Sequence, residues 1–394
     1  MVPDQSWGTL ANAARSRRPV KGLTHSFYRY PARFSPEFAA TAIELFSQPS
    51  DLVYDPYMGG GTTIVEAMAS GRRGVGSDLN SLAVFVAKVK TTLISEFEKE
   101  AIRNWAKKFV PQFKYNRPSH ATSSVPQNPY TRNLNLYRAR FIKKVLTLAL
   151  SSLEDLASDN VRNFVRCALL RTAQWALDGR RTHASVSLFR ERLSFCINDM
   201  LAGMMDLENS VSLCGHGIGP TLIEGDAANI HSHPFFTQGS PNVDLVVTSP
   251  PYPGLHVLYH RWQVDGRRET PAPYWIVGCR DGQGESHYNF GSRHQRNLQA
   301  YFAKSLETLR AIRSVMRTGA YMVQMIAFAD IDQYLPPYLA NMEAAGFEEV
   351  GKREGAFGNS SERIWRDVPN RKWHAVLMGR TAGSHEVVLI HKGV

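Results

Sequence analysis

Cysteine is scarce in this chain, and what there is lies scattered. Cys167, Cys196, Cys214 and Cys279 are far apart and form no CxxC pair, which suits reduced thiols of a cytosol better than a disulfide framework or a zinc site. No apolar run approaches the roughly 18 residues a membrane-spanning helix needs. The first twenty residues are polar, carry Arg15, Arg17 and Arg18, and lack an apolar core of signal-peptide length. A cytoplasmic, unanchored protein is expected. Internal repeats and low-complexity tracts are also missing.

Acid is in deficit. Asp plus Glu number 35 against 46 Lys plus Arg, a net charge of +11 that points to a polyanionic partner. The surplus is local: residues 101–200 hold 17 basic and 6 acidic side chains, and the rest of the chain is neutral. With 394 residues, 43% of them hydrophobic and 21% charged, the chain can bury a large core. One large domain with a substantial insertion, or two domains, is expected.

Asp51 to Asp55 is a short run of strand formers stopped by Pro56 and the glycines Gly59, Gly60 and Gly61. Thr62 to Ser70 has helical apolar spacing and is closed by Gly71, and Arg72 to Asp78 reads as a second strand ending in an acid. Strand, glycine turn, helix and strand make the first half of a doubly wound sheet. From about residue 93 the pattern turns helical, as in Val161, Phe164, Val165, Ala168 and Leu169. Strands resume at Thr221 to Asp226, Asp244 to Ser249, Tyr321 to Ile326 and Glu386 to Ile390, with helices near 298–317 and 335–345. The spacing predicts an α/β sheet split by a basic helical insertion of residues 93–215, between sheet halves 1–92 and 216–394.

A glycine turn between strand and helix presents backbone N–H groups to a nucleotide-like ligand. Two common variants are missing. Gly61 is followed by Thr62 and Thr63 rather than the lysine of a P-loop, and Ile64 stands where GxGxxG ends. Asp55, at the end of the first strand, suits a cationic ligand better than a pyrophosphate; a sulfonium cofactor with an amino-acid tail fits. Asp78 can accept from both ribose hydroxyls and Asp226 from an adenine amine. Each acid alone is equally well explained as a turn or helix-cap residue.

Thr248-Ser249-Pro250-Pro251-Tyr252 follows a strand, and its two prolines make a rigid ledge at the strand's carboxyl end. The Ser249 hydroxyl and the proline-flanked carbonyls are acceptors for an exocyclic amine, and Tyr252 is placed to stack on an extruded base. An ordinary proline-rich turn is the plainer alternative.

Asp55-Pro56-Tyr57-Met58-Gly59-Gly60-Gly61-Thr62-Thr63 resembles the cofactor motif of the amino DNA methyltransferases, and TSPPY resembles their catalytic motif in the serine form typical of N4-cytosine enzymes. Thr24 to Pro36 is similar to the segment that closes the cofactor pocket in that family. The resemblance covers roughly 22–92 and 221–394. It implies a class I S-adenosylmethionine-dependent, Rossmann-like sheet, with S-adenosyl-L-methionine held by Tyr30, Phe34, Asp55, Tyr57, Gly59, Gly61, Asp78 and Asp226. The target amine would meet Ser249, Pro250, Pro251 and Tyr252. Tyr57 stands for the more familiar Phe, and Gly60 for the more familiar Ser.

The motif order resembles the arrangement with target recognition between the cofactor and catalytic halves, where this chain concentrates its charge. Candidate contacts to double-stranded DNA are Arg138, Arg140, Lys143 and Lys144, and Arg180 and Arg181 in a turn. His256, His260 and Arg261 are expected to line the cleft behind the ledge. His231 with His233, and His256 with His260, lack a second pair or acid in a metal-binding pattern, so no metal is expected. No cysteine follows a proline, which disfavours a C5-cytosine route. The expected activity is N4-cytosine methylation of a specific duplex sequence, with a cognate restriction endonuclease acting on the same site as a further suggested partner. N6-adenine methylation and a non-catalytic specificity module are the alternatives.

Overall fold

The computed structural model describes residues 4–31, 33–113, 128–136, 139–180, 182, 184–215, 219–238, 242–253, 261–266, 268–281, 298–328, 330–354, 358–360, 362–367 and 385–394. Strand β1 (Leu52–Asp55) is buried at every position, as a strand covered on both faces must be, and so reads as a continuous apolar run. It is followed by β2 (Arg73–Asp78), β3 (Thr221–Glu224) and β4 (Val243–Thr248). Next come a hairpin, β5 (Trp262–Val264) and β6 (Arg268–Thr270), then β7 (Met316–Ala327) and β8 (Phe347–Glu349). A second hairpin, β9 (Lys352–Glu354) and β10 (Gly358–Ser360), leads to β11 (Ile364–Asp367) and β12 (His385–Gly393).

In space the main sheet runs β11-β12-β7-β4-β1-β2-β3, with β8 also paired to β12. The five strands from β7 to β3 are parallel, whereas β12 is antiparallel to β7, β8 and β11. This is the class I, Rossmann-like sheet that the resemblance implied. The chain steps outward from β1 through β2 to β3, then returns to lay β4 on the other side of β1. That reversal opens a crevice at the carboxyl ends of the strands.

Alternate residues along each strand face opposite layers. Val53, Leu245, Val247, Val323, Met325, Val388 and Ile390 share one core with Leu10 of α1 (Asp4–Arg15) and Phe38 and Ile43 of α2 (Pro36–Phe46). Leu52, Tyr54, Val246, Met322, Ile326, Val387 and Leu389 form the other with α11 (Gln299–Val315) and α12 (Ile331–Ala344). The glycine turn feeds α3 (Thr62–Ala69), and β2 feeds α4 (Ser81–Thr91). Helix α1 gives the polar N-terminus a place: Arg15 donates to the Trp365 carbonyl, while Arg17 and Arg18 pair with Asp367 and Glu37.

The insertion is helical, with α5 (Glu96–Phe109), α6 (Arg140–Ser151), α7 (Asp159–Leu177) and α8 (Val186–Cys214) around a core of their own. That core does not stop at the expected boundaries. It takes in Leu82, Val86 and Val89 of α4 and, from downstream of β4, Trp262, Val264, and Tyr274 and Ile276 of α10 (Ala272–Val277). The intervening α9 (Pro234–Thr237) is a single turn capped by His233, whose Nδ1 accepts from Phe235 N at 3.2 Å. His233 therefore has a capping job, and among the described residues no His/Cys/Asp/Glu group is arranged to hold a metal.

Candidate active site

The crevice is an open cleft enclosing about 890 Å³, solvent-open space included, and three of its walls are strand-end acids. Asp55 ends β1, 2% exposed, its Oδ1 accepting from Thr248 Oγ1 at 2.6 Å and from Tyr57 N at 3.1 Å. Asp78 ends β2, with Oδ2 accepting from Gly59 N at 2.9 Å and Oδ1 from Asn80 N at 2.8 Å. Burial pushes each carboxyl up to about 6, against the hydrogen bonds that favour its ionised form. Asp226, just past β3, accepts from Ala228 N at 2.9 Å and pairs with Lys304 at 2.7 Å. All three acids thus perform the turn or cap work that the plainer reading gave them, and all three still line one cleft.

The loop between Asp55 and α3 is shaped by its glycines. Gly59 and Gly61 have φ of +46° and +72°, in the left-handed region where side chains are strained. Gly59 lines the cleft; Gly61 does not, because it packs against Ala87 of α4, 3.0 Å from where its own Cβ would sit. Its contribution is to the helix start. Gly60, the departure from the more familiar Ser, has its reason in Tyr30: a Cβ there would come within 2.9 Å of the Tyr30 Cβ. Beneath the loop Lys90, 1% exposed, donates to the Gly60 carbonyl at 2.5 Å, and burial lowers its amine to about 7.

Tyr30, Phe34 and Tyr57 line the cleft. Tyr30 Oη accepts from Asn80 Nδ2 at 3.0 Å, and Asn80 Oδ1 accepts from Tyr274 at 2.9 Å, so the closing segment is tied to α10 through the cap of α4. Sequence reasoning missed Arg33, Lys90, Lys304 and Thr248. Arg33 also lines the cleft, its guanidinium lowered to about 10 by burial and secondarily by Arg29. A buried carboxyl raised in pKa is short of a cation. The arrangement of Asp55, Asp78 and Asp226 around an aromatic-walled cleft therefore fits a cationic nucleoside with a ribose diol and an amino-acid tail.

Ser249 and Pro251 line the cleft beyond β4, whereas Pro250 and Tyr252 do not. The stacking role expected of Tyr252 needs correcting. Its ring is 8% exposed inside the apolar core of α11 and α12, because its hydroxyl turns inward to donate to Glu386 Oε1 at 2.9 Å. Ser249 Oγ in turn donates to Tyr252 Oη at 3.0 Å. Glu386, at the start of β12, is paired through Oε2 with Arg366 of β11, whose Nε lies 2.6 Å away. Tyr301 of α11 donates to the Pro251 carbonyl at 2.6 Å and holds the ledge from below.

The expected nucleic-acid contacts divide. Arg138, Arg181, His256 and His260 lie outside the described residues. Arg140 is exposed at the start of α6, stacked on Phe141 at 4.8 Å, while Lys143 is half-buried and donates to Asn135 at 2.6 Å. Lys144 is half-buried on the same helix. Arg180 is exposed over the Trp175 ring at 4.9 Å, with Arg192 at 5.5 Å. Arg261 is spoken for internally, paired with Glu269 at 3.5 Å and Asp281 at 3.3 Å.

Residues 3–88 match the model of a family described as DNA methylase. The chain is 26% identical over 251 residues to the type II methyltransferase M.MvaI of Kocuria varians, covering 59% of this chain and 54% of that one. It is 23% identical over 124 residues to the type II methyltransferase M.MjaII of Methanocaldococcus jannaschii, covering 32% and 22%. The matches thus span about half, or less, of these relatives' lengths. Among solved structures, TrmN from Thermus thermophilus is 11% identical with a TM-score of 0.33, covering 92% of this chain and 49% of that one. An S-adenosylmethionine-dependent methyltransferase from Agrobacterium tumefaciens has the same identity and TM-score, covering 100% and 80%. The strand order, the glycine loop and the TSPPY ledge stand beside a match that makes residues 3–88 similar to the DNA methylase family, and the chain resembles type II methyltransferases over about half of their length.

Proposed function

We propose that this protein moves the methyl of S-adenosyl-L-methionine to the exocyclic N4 amine of a cytosine flipped out of duplex DNA. The observation that carries this is the presence of Ser249 in the wall of the same cleft as Asp55, Asp78 and Asp226, so that an amine acceptor and a cation site share one space. Bound there, the cofactor supplies a methyl on a sulfonium, ready for direct displacement. Asp78 would accept from the ribose hydroxyls, Asp226 from the adenine amine, and Asp55 would hold the cationic part of the cofactor. The Ser249 hydroxyl accepts from the target amine and draws its lone pair out of ring conjugation, so that the nitrogen attacks. A base held by its amine edge has to leave the stack.

The family includes adenine-N6 and cytosine-N4 enzymes, and the same ledge holds either amine. Serine rather than an acid at position 249 favours cytosine. The test is transfer of tritiated methyl to mixed-sequence duplex DNA, followed by digestion to nucleosides and separation. Label in N4-methylcytosine supports the reading, label in N6-methyladenine replaces it with the adenine reading, and cofactor and DNA binding without transfer leaves a specificity module. Ser249→Ala is expected to spare cofactor binding and cut turnover by about a hundredfold, whereas Asp55→Ala weakens cofactor binding first.

A further inference from the structure

The hydrogen-bond chain behind the ledge has a direction, and it runs back to α1. Glu386 Oε2 faces the Arg366 guanidinium, and Arg366 Nη1 donates onward to the Ala14 carbonyl at 3.1 Å. A carboxylate in such an ion pair only accepts. Tyr252 has one hydroxyl proton, and at 2.9 Å from Glu386 Oε1 that proton goes to the carboxylate. The Tyr252 oxygen is left to accept the proton of Ser249 across 3.0 Å. Ser249 then presents only lone pairs to the cleft it lines. With Tyr252 8% and Glu386 5% exposed, there is little water to swap these roles.

From this we infer that Glu386 and Arg366 are positioning residues that set the polarity of Ser249, holding its hydroxyl as an acceptor for the target amine. The inference rests on the proposed transfer to an exocyclic amine. Without the carboxylate, a Ser249 proton turned into the cleft would meet the amine N–H groups head on. Tyr252 is the carrier of this polarity, which gives its hydroxyl a purpose that stacking would not need.

The test is a double-mutant cycle on methyl transfer to duplex DNA, with cofactor affinity measured alongside. In Glu386→Gln, Arg366 pins the amide oxygen, so the amide NH₂ faces Tyr252 and reverses the chain. Turnover is expected to fall about tenfold or more, with the cofactor dissociation constant and the cofactor KM unchanged. Tyr252→Phe is expected to lower turnover too, and Glu386→Gln added to it to cause no further loss, because the carrier has gone. Loss of the carboxylate charge beside the Arg366 guanidinium threatens folding, so Glu386→Gln with Arg366→Met is run in parallel; its loss should likewise vanish on the Tyr252→Phe background. Wild-type turnover in the Glu386 variants, or a loss that persists undiminished on the Tyr252→Phe background, overturns the polarity role. A wild-type chain that binds DNA and cofactor but transfers no methyl overturns the functional reading itself, and a wild-type chain that transfers normally confines any failure to the inference.

Discussion

Asp55 and Asp78 show what individual residues contribute and what pH does to them. In the protein alone each carboxyl sits at about 6, raised by burial from its ordinary 3.8. A raised carboxyl favours the protonated folded state, so its contribution to stability is present in full below about 4 and is lost as pH rises through about 6. A cationic ligand reverses the preference by stabilising the ionised form. Binding then releases protons, and cofactor affinity should tighten by about tenfold or more between pH 5 and pH 7, then level off. Titration calorimetry in buffers of different ionisation enthalpy reads both the affinity and the proton release. A dissociation constant flat over that range, with no proton release, would refute the assignment of these two acids to the cofactor site.

At the level of elements, the glycine loop is held between two neighbours that the local sequence does not reveal. Tyr30 lies over Gly59 and Gly60, and Lys90 supports the Gly60 carbonyl from below. Restoring the more familiar serine by Gly60→Ser puts a Cβ 2.9 Å from the Tyr30 Cβ, a base atom that cannot swing aside. Tyr30 must shift, its bond from Asn80 is strained, and the closing segment loosens. Cofactor binding is expected to weaken by about tenfold, with a lowered melting temperature, and Gly60→Ala should behave alike because the clash belongs to Cβ. Unchanged affinity in both variants would show that Tyr30 has room to move. The strands that frame this loop were legible because their signals are local: β1 and β4 read as short apolar runs stopped by turn residues, and β2 and β3 as short segments running into an acid. Helix α1 was not, since Trp7 and Leu10 are too few to mark an amphipathic face until the sheet supplies their partners. The hairpin of β5 and β6 was equally hidden, its three-residue strands being fixed by packing onto the helical core. Tyr252 and Glu386 meet across 134 residues, beyond any spacing rule, which is why the ring's inward turn escaped the sequence.

Across the whole molecule, the insertion is fastened to the closing segment and to the β5–β6 hairpin. The C-terminal end of α7 reaches the closing segment, where Gln174 donates to the Arg29 carbonyl at 3.0 Å, and the next turn reaches β5, where Gly179 N donates to Gln263 O at 2.7 Å. Arg180 therefore projects from a turn fastened to the segment just downstream of TSPPY, with its guanidinium stacked and exposed over Trp175. Arg261 comes from the same neighbourhood but spends its charge on Glu269 and Asp281. If duplex DNA lies across this junction, the two arginines should separate in a salt titration. Arg180→Ala is expected to lower the slope of log affinity against log salt by about 0.9, the value of one lost phosphate contact. Arg261→Ala should leave the slope alone and instead destabilise the fold by on the order of 1–3 kcal/mol, because Asp281 is left buried without its partner. Fluorescence anisotropy with a labelled duplex between 50 and 200 mM salt, the range over which about six to ten such contacts change affinity strongly, measures the first, and urea unfolding the second. An unchanged slope for Arg180→Ala would move the DNA path away from this turn, and a reduced slope for Arg261→Ala would mean that its ion pairs open to let it reach a phosphate.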